Sequence, residues 1–258
     1  PAKFLRRGNE PPLLMDADTK ARDLLEAGID YVVMRPFDKA LAEIPADEFP
    51  ASLKKSVPSL CGICVGENFR FGQARHGDAN SLSEIGQTLG LEVEVVSSAI
   101  HQGFPISSSR IRDALNKGEI EEVNAMLGRP YQVFGEVISG NGKGREFGFP
   151  TLNLAWTPQA RPAFGVYFAE STVALAKERK SAVANYGVRP TVEGACTQPL
   201  LEVHLLGDED FSSYKPGDEL SVELLRFLRP ECKFDSLDSL KTQIVADKIE
   251  AEKLVLTL

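Results

Sequence analysis

Histidine, cysteine, tryptophan and long apolar runs are all scarce in this sequence. The 258 residues include three histidines, four cysteines and one tryptophan. No apolar run approaches the ~20 residues that a transmembrane helix needs, and the opening PAKFLRRGNEPPLL lacks the apolar centre of a signal peptide. The net charge of −8 disfavours binding to nucleic acid or to an anionic membrane. We therefore expect a cytoplasmic globular protein that binds neither nucleic acid nor membrane.

The few cysteines include one CxxC pair, Cys61 and Cys64, with the spacing of some zinc and redox sites. The surrounding LCGICVG has the pattern of a short buried strand. In a strand the two Cα atoms lie ~10 Å apart and the side chains point to opposite faces, whereas a disulfide needs Cα atoms within about 7 Å. We predict that both are small buried hydrophobic residues in a reducing compartment.

The first half of the chain alternates helix and strand patterns, which predicts a parallel α/β sheet. Pro50 should kink or interrupt the second of its helices. The helical patterns are DADTKARDLLEAG (16–28), ADEFPASLKKS (46–56), SLSEIGQTLG (81–90), SSSRIRDALNKG (107–118) and EIEEVNAML (119–127). The strand patterns are IDYVVMRPF (29–37), CGICVG (61–66) and LEVEVVS (91–97).

The second half contains strand patterns separated by Gly, Pro and Asp, which predict an antiparallel barrel or sandwich. An amphipathic helix from about Ser236 to Leu254 follows them. We place the boundary at about residue 128, which gives two domains, 1–127 and 128–258. The strand patterns are YQVFGEVISG (131–140), FGVYFAEST (164–172), SAVANYG (181–187), LLEVHLLG (200–207) and ELSVELLRFL (219–228).

A glycine-rich segment, SGNGKGREFGFPTLN (139–153), holds the densest group of candidate binding residues. Its glycines let the backbone turn sharply, and such loops present N–H groups to phosphates. No Ser or Thr follows its lysine directly, which excludes a Walker A loop. A phosphate-binding loop and a plain hairpin both fit the pattern. The candidate residues are Gly140, Gly142, Lys143, Gly144, Arg145 and Gly148.

Three further residues carry possible chemistry. Thr151 and Asn153 lie two apart in an extended segment, so their side chains point the same way. Their oxygen atoms suit Mg²⁺ that carries phosphates, although local turn hydrogen bonds fit as well. Glu202 alternates with apolar residues in LLEVHLL and is either a solvated residue or a functional carboxylate.

Five motifs in order resemble the riboflavin kinase family over residues 128–250. They are GNGKGREFGFPTLN, FGVYFA, NYGVRPT, LLEVHLL and LRFLRPECKFDSLDSLKTQI. The resemblance implies an antiparallel β-barrel with a terminal helix. It also implies transfer of the ATP γ-phosphate to the riboflavin 5′-hydroxyl, with Mg²⁺ as cofactor and FMN as product.

The same resemblance assigns a role to each candidate residue. The residues from Gly140 to Gly148 wrap the nucleotide phosphates, and Thr151 and Asn153 hold Mg²⁺ and the terminal phosphates. Glu202 is the general base for the riboflavin hydroxyl. The flavin pocket contains Arg229, Glu231 and Phe234, while Asn185 and Arg189 support the site. Two departures from the family pattern are Leu152 in place of Ala and the segment DFSSYKPGD (210–218) in place of a DLYG turn.

The first half resembles the adenylyltransferase domain of bacterial bifunctional riboflavin kinase/FMN adenylyltransferase, also called FAD synthetase. VGENFRFG (65–72), ISSSRIRDAL (106–115) and MLGRPY (126–131) carry this resemblance, which implies a Rossmann-type parallel α/β domain. Serine caps and arginines at a helix N-terminus form an anion site. The candidate residues of this anion site are Ser107, Ser108, Arg110 and Arg112, and a purely structural capped helix fits them as well. The resemblance places VGENFRFG near flavin and nucleotide, with Asn68, Phe69 and Phe71 as its candidate residues.

The HxGH motif of that nucleotidyltransferase family is absent from this sequence, whose histidines are His76, His101 and His204. We therefore expect the domain to lack its front, and we expect no efficient FMN adenylylation from the chain as given. The main expectation is a riboflavin kinase. The alternative is a flavin- or nucleotide-binding regulator without turnover, which has no need of a base such as Glu202.

Overall fold

The computed structural model describes residues 10–140, 143–146, 148–173, 178–188, 199–207, 211 and 214–256. The chain divides into two compact units. Residues 16–106 form most of the first unit, and residues 107–256 form most of the second, which also takes in Leu13–Met15. The α/β pattern of the first half and the barrel pattern of the second are both confirmed.

The first unit combines short helices with small sheets. Its helices are α1 (Ala17–Glu26), α2 (Lys39–Ala42), α3 (Phe49–Ser56) and α4 (Ala79–Thr88), and a 3₁₀ turn spans Gln73–Arg75. Its strands are β1 (Gly62–Gly66), β2 (Arg70–Phe71), β3 (Gly77–Asp78), β4 (Glu92–Val96), β5 (Ile100–His101) and β6 (Phe104–Pro105). β1 and β4 pair in parallel, with Gly62 opposite Glu92, as the alternating pattern predicts. The carboxylate of Asp78 caps α4 through the backbone N–H of Ser81, in a capping box.

Three predictions for the first unit are wrong. Residues 29–37 form no strand, and Tyr31 and Val33 are 87% and 88% exposed, because no described strand pairs with this segment. Pro50 does not kink its helix, because α3 begins at Phe49 and the proline lies in the first turn, where no N–H is needed. Cys61 and Cys64 are free but exposed, so they are not buried hydrophobic residues.

The second unit is a closed antiparallel barrel, which decides between the barrel and the sandwich. Its strands are β7 (Tyr131–Ile138), β8 (Leu152–Ala155), β9 (Gly165–Val173), β10 (Arg179–Val188), β11 (Pro199–Leu205) and β12 (Glu219–Pro230). Around the barrel the order is β10, β11, β8, β7, β12 and β9. Alternate residues such as Val133, Leu154, Ala184 and Leu201 are fully buried in its interior. The intervening residues point away from the barrel interior.

Two helices, α5 (Ser108–Lys117) and α6 (Ile120–Leu127), also belong to the second unit. Asn124 of α6 donates from Nδ2 to the carbonyl of Leu224 at 2.9 Å and accepts from the N–H of Tyr131 at 2.8 Å, so one amide joins the helix to two strands. The compact units thus divide between Ile106 and Ser107. The boundary at residue 128, between the adenylyltransferase-like and riboflavin-kinase-like regions, stays a prediction.

The last helix of the second unit is α8 (Leu237–Val255), as the amphipathic pattern predicts. Ser236 begins it with a capping box to Ser239. A single helical turn, α7 (Lys143–Glu146), lies in the glycine-rich segment. Among the described residues, no helix has both the length and the apolar character needed to cross a membrane.

Candidate active site

A row of directly opposed residues runs across five neighbouring strands of the barrel. Glu202 on β11 lies between Asn153 on β8 and Asn185 on β10. Val166 on β9 is opposite Asn185, and Arg229 on β12 is opposite Val166. Directly opposed residues have Cβ atoms about 5 Å apart. The strand register therefore assembles a carboxylate, two amides and a guanidinium from segments that are far apart in the sequence.

All five residues of this row line one cleft of about 730 Å³. The glycine-rich segment contributes to one part of its wall, and α8 contributes Leu240, Ile244, Asp247 and Lys248 to another. Of the predicted kinase-site residues, those that line the cleft are Gly140, Gly144, Arg145, Thr151, Asn153, Glu202, Arg229, Glu231 and Phe234. A cleft of this size is within the usual range for small-molecule sites.

The glycine-rich segment folds tightly against the start of β8. The backbone N–H of Phe149 donates to the carbonyl of Gly144 at 2.8 Å. A Cβ on Gly140 would lie 3.1 Å from Cγ of Asn153 and closer still to its Nδ2, so only glycine lets the loop approach that amide. Gly148 has a φ of +84° and lies at the turn, outside the residues that line the cleft. Gly142 lies outside the described residues, and Lys143 is described only as part of α7.

Thr151 and Asn153 present a hydroxyl and an amide to the same cleft. Asn153 is only 5% exposed, so its amide is held among protein atoms. Oxygen ligands of this type fit Mg²⁺ that also binds phosphates. Among the described residues, no group of three or more His, Cys, Asp or Glu is placed to hold a metal. The predicted Mg²⁺ ligands Thr151 and Asn153 thus lie in the same cleft, and their role stays a prediction.

A second carboxylate, that of Glu231, accompanies Glu202. A Cβ on Gly187 would lie 2.9 Å from Cδ of Glu231, so the carboxyl group rests directly on the bare backbone of β10. Partial burial of this carboxyl and the nearby charge of Glu202 raise the pKa of Glu231, and Arg229 opposes that rise. The cleft thus holds two acidic groups that repel each other when both are ionised.

Arg229 is held by an ion pair with α8. Its Nε and Nη2 donate to the carboxylate of Asp247, with distances of 2.8 and 2.7 Å, and Nη1 donates to the carbonyl of Pro230 at 3.1 Å. The hydrogen bonds to Asp247 raise the pKa of Arg229. The guanidinium carbon lies 5.8 Å from the ring centroid of Phe234. Arg229 therefore joins the barrel to its terminal helix as well as lining the cleft.

Sequence reasoning missed an aromatic group in the cleft, formed by Phe149, His204, Phe211 and Tyr214. The His204 ring stacks on Phe211 with centroids 5.8 Å apart, and the Phe149 ring meets it edge-on at 5.8 Å. The alternation in LLEVHLL is the signal that was available, because it puts His204 on the same face as Glu202. Part of the segment 210–218 lies outside the described residues. Arg189 lies outside them as well.

The predicted adenylyltransferase residues divide between the two units. Asn68, Phe69 and Phe71 lie in the first unit, where Asn68 donates to Oγ of Ser98 at 3.3 Å. Phe71 is 5% exposed and packs on Phe69 and Phe49, so it is a core residue of that unit.

The remaining adenylyltransferase candidates belong to the second unit. Ser107 caps α5 by accepting from the N–H of Arg110 at 3.3 Å. Ser108 and Arg112 also lie in α5. The helix cap that the serine pattern predicts is confirmed, and the anion site stays a prediction.

Comparison with known proteins gives consistent matches over both units. A riboflavin kinase family model matches residues 127–255, and an FAD synthetase family model matches residues 1–110. The bifunctional riboflavin kinase/FMN adenylyltransferase of Escherichia coli (strain K12) is 35% identical over 253 residues, which cover 98% of this chain and 79% of that protein. The Haemophilus influenzae protein of the same name is 36% identical over 247 residues and covers 96% and 78%.

Among solved structures, a macrolide-efflux protein from Streptococcus pneumoniae matches with a TM-score of 0.81 and 29% identity. The match covers 93% of this chain and 75% of that one.

Proposed function

The chain belongs to the bifunctional riboflavin kinase/FMN adenylyltransferase family, and we propose that its second unit transfers the γ-phosphate of ATP to the 5′-hydroxyl of riboflavin. The products are FMN and ADP. The observation that carries this proposal is the single cleft in which Glu202 stands opposite Asn153, beside Thr151 and the glycine-rich segment. That set of groups supplies a base and a phosphate site in one place.

Glu202 is the general base of the proposed reaction. The riboflavin 5′-hydroxyl gives its proton to the Glu202 carboxylate while its oxygen attacks the γ-phosphorus, and the bond from phosphorus to the ADP oxygen breaks in line. Glu202 projects from a strand whose neighbours on both sides are paired, so the carboxylate is held on a rigid element. A base of this kind contributes roughly 10²- to 10⁴-fold to the rate.

The phosphates bind at the glycine-rich segment and the start of β8. Backbone N–H groups of this segment and the guanidinium of Arg145 compensate the phosphate charge. Mg²⁺, where bound, neutralises charge on the transferred phosphoryl group, and Thr151 and Asn153 are the residues that would hold it. Most of the acceleration then comes from positioning the two substrates within one cleft.

The flavin binds on the α8 side of the cleft. Leu240, Ile244 and Phe234 offer apolar surface for a flat ring system, while Glu231 offers an acceptor for hydroxyl or ring N–H groups. Arg229 contributes mainly by fixing this wall, because its guanidinium is already engaged by Asp247. Asn185, opposite Glu202, faces the same space and supports the base.

FMN adenylylation is the second activity that membership of this family implies, and it would consume the FMN made by the first. Its candidate residues are distributed over both units, and the expectation of inefficient adenylyl transfer by this chain stays a prediction. A cytoplasmic location, where free thiols such as Cys61 and Cys64 persist, is also part of the proposal. The absence of a nucleic-acid partner remains an expectation from charge.

The test is direct detection of product. The purified chain is incubated with riboflavin, ATP and Mg²⁺, and flavins are separated by chromatography. We expect FMN to accumulate with one ADP per FMN, with FAD as the marker for the second activity. Riboflavin and ATP that bind without turnover would instead identify a non-catalytic binding protein and contradict the proposal.

A further inference from the structure

His204 lies two residues after Glu202 on the same outward face of β11. Its Nδ1 is 2.8 Å from the carbonyl oxygen of Pro150, the residue immediately before Thr151. A carbonyl oxygen only accepts hydrogen bonds, so Nδ1 carries the proton and donates it. The strand that bears the base is therefore tied by a side chain to the segment that binds phosphate.

Two aromatic rings contact the imidazole ring, one by stacking and one in an edge contact. Phe211 stacks on it with an interplanar angle of 13°, and Phe149 meets it at 70°. Burial lowers the pKa of His204, which favours the neutral ring. In that form Nε2 is an acceptor, and it is buried without a hydrogen-bond partner in the described part of the chain. The ring has one defined tautomer and little freedom to turn.

The hydrogen bond from His204 to Pro150 lies just beyond the end of the pairing between β11 and β8. Pairing between β11 and β8 runs from Leu200 opposite Ala155 to Val203 opposite Leu152. Thr151 lies just beyond the last pair and takes part in no strand pairing among the described residues. The bond from His204 to the Pro150 carbonyl thus continues the link between the two strands where the backbone ladder has ended.

We propose that His204 is a positioning residue that fixes Thr151 relative to Glu202 through its hydrogen bond to the Pro150 carbonyl. This inference rests on the proposed kinase reaction. The attacking hydroxyl oxygen and the γ-phosphorus must be held about 3–3.5 Å apart and in line, and a misplacement of about 1 Å can cost ~10²-fold in rate. A segment that is held only by its preceding loop would not meet that requirement.

Two variants separate the hydrogen bond from the packing of the ring. His204→Phe keeps an aromatic ring between Phe149 and Phe211 but has no donor. His204→Asn places an amide N–H where Nδ1 lies and loses the ring. The quantities to measure for both variants and the wild type are kcat, KM for riboflavin, KM for ATP–Mg²⁺ and the midpoint of thermal unfolding.

We expect His204→Phe to lower kcat by about 10- to 100-fold with little change in KM for riboflavin. His204→Asn should retain more of kcat although it melts at a lower temperature, because it preserves the donor. A His204→Phe enzyme with wild-type kcat would overturn the proposal. The proposal would also fail if the variant with the larger fall in unfolding midpoint were the one with the larger fall in kcat. If His204→Phe does not fold by circular dichroism, His204→Gln, whose amide lies away from the Nδ1 position, replaces it.

A double-mutant cycle with Glu202→Gln tests the link to the base. If His204 serves to place Thr151 relative to Glu202, then His204→Phe should cost much less when Glu202 is already replaced. Additive losses would contradict the inference. A wild-type chain that forms no FMN would instead overturn the proposed function, so the two failures are distinguishable.

Discussion

Glu202 and Asn153 lie directly opposite each other on neighbouring antiparallel strands, β11 and β8. Their outward side chains share one cleft, although 49 positions separate them along the chain. This pairing joins the proposed base to the proposed phosphate site by backbone hydrogen bonds on a rigid sheet. The position of Glu202 relative to Asn153 is thus a property of the strand register, which supplies part of the positioning that phosphoryl transfer needs.

Gly187→Ala should weaken riboflavin binding selectively. The added methyl group would occupy the place of the Glu231 carboxyl and push it off β10. We expect KM for riboflavin to rise by about tenfold, equivalent to ~1.4 kcal/mol, while KM for ATP stays near the wild-type value. Steady-state kinetics with each substrate varied in turn provides the measurement.

Two controls accompany Gly187→Ala. Gly66→Ala, in β1 of the first unit, adds a methyl group with no atom within 4 Å and should leave both KM values unchanged. In a Glu231→Ala background, Gly187→Ala should add no further increase in KM for riboflavin. An equal increase in both backgrounds would show that Gly187 acts without Glu231.

The sequence predicts those features of the fold and site that depend on residues near each other along the chain. Alternation identified five of the barrel strands and the outward position of Glu202, because both follow from a period of two along one strand. Alternation alone left the choice between barrel and sandwich open, because both bury alternate residues and differ only in which distant strands pair. The family resemblance implied the barrel, which the structure confirms. Residues 29–37 show the opposite failure, since a strand-like composition forms no strand without a described partner.

The same limit explains what was missed in the site. The motifs pointed to Thr151, Asn153 and Glu202, and the structure brings all three to one cleft. Alternation places His204 on the face of Glu202, but it does not identify the partner Pro150, which is 54 positions away and meets His204 only in the folded barrel. The closeness of Glu231 to Gly187 likewise depends on packing between a strand and the segment after β12.

Asp247→Asn should destabilise the second unit and loosen α8. Asp247 is 5% exposed and accepts three of the hydrogen bonds that hold the Arg229 guanidinium, so its loss leaves a partly buried cation without its counter-charge. We expect a loss of about 2 kcal/mol in the free energy of unfolding. Urea unfolding followed by circular dichroism measures it.

The exposed pair between Asp113 and Lys117, 2.7 Å apart on α5, is the matched control for this experiment. Asp113→Asn removes a similar carboxylate from solvent-exposed surroundings and should leave the unfolding transition unchanged. Equal losses from the two substitutions would mean that the Arg229–Asp247 pair contributes no more than a surface ion pair.

His204 should make the stability of the ligand-free protein depend on pH. Burial lowers the pKa of the folded-state imidazole, and Lys248 of α8 lowers it further. The hydrogen bond to the Pro150 carbonyl and the charge of Glu252 oppose this shift without cancelling it. In the unfolded chain the same imidazole has a pKa near the usual ~6.5. The unfolded chain therefore binds more protons than the folded protein as the pH falls below that value. The free energy of unfolding should therefore decrease as the pH is lowered below about 6.5. Above that pH the stabilising contribution of the neutral His204 is fully present.

Comparison of the wild type with His204→Phe isolates this contribution. Urea unfolding at pH 7.5 and 5.5 should show a smaller loss of stability in His204→Phe, because the variant has no imidazole to protonate. Other titrating groups, including Glu231, are present in both proteins and cancel in the difference. Identical losses in the two proteins would exclude His204 as a source of the pH dependence.

The most direct test of the account is the rate of phosphoryl transfer by Glu202→Gln. Glutamine keeps the size and hydrogen-bonding capacity of the side chain but cannot accept the hydroxyl proton as a base. The single-turnover rate of FMN formation should fall by about 10²- to 10⁴-fold, while calorimetry shows ATP–Mg²⁺ binding like that of the wild type. A variant that forms FMN at the wild-type rate would contradict the account.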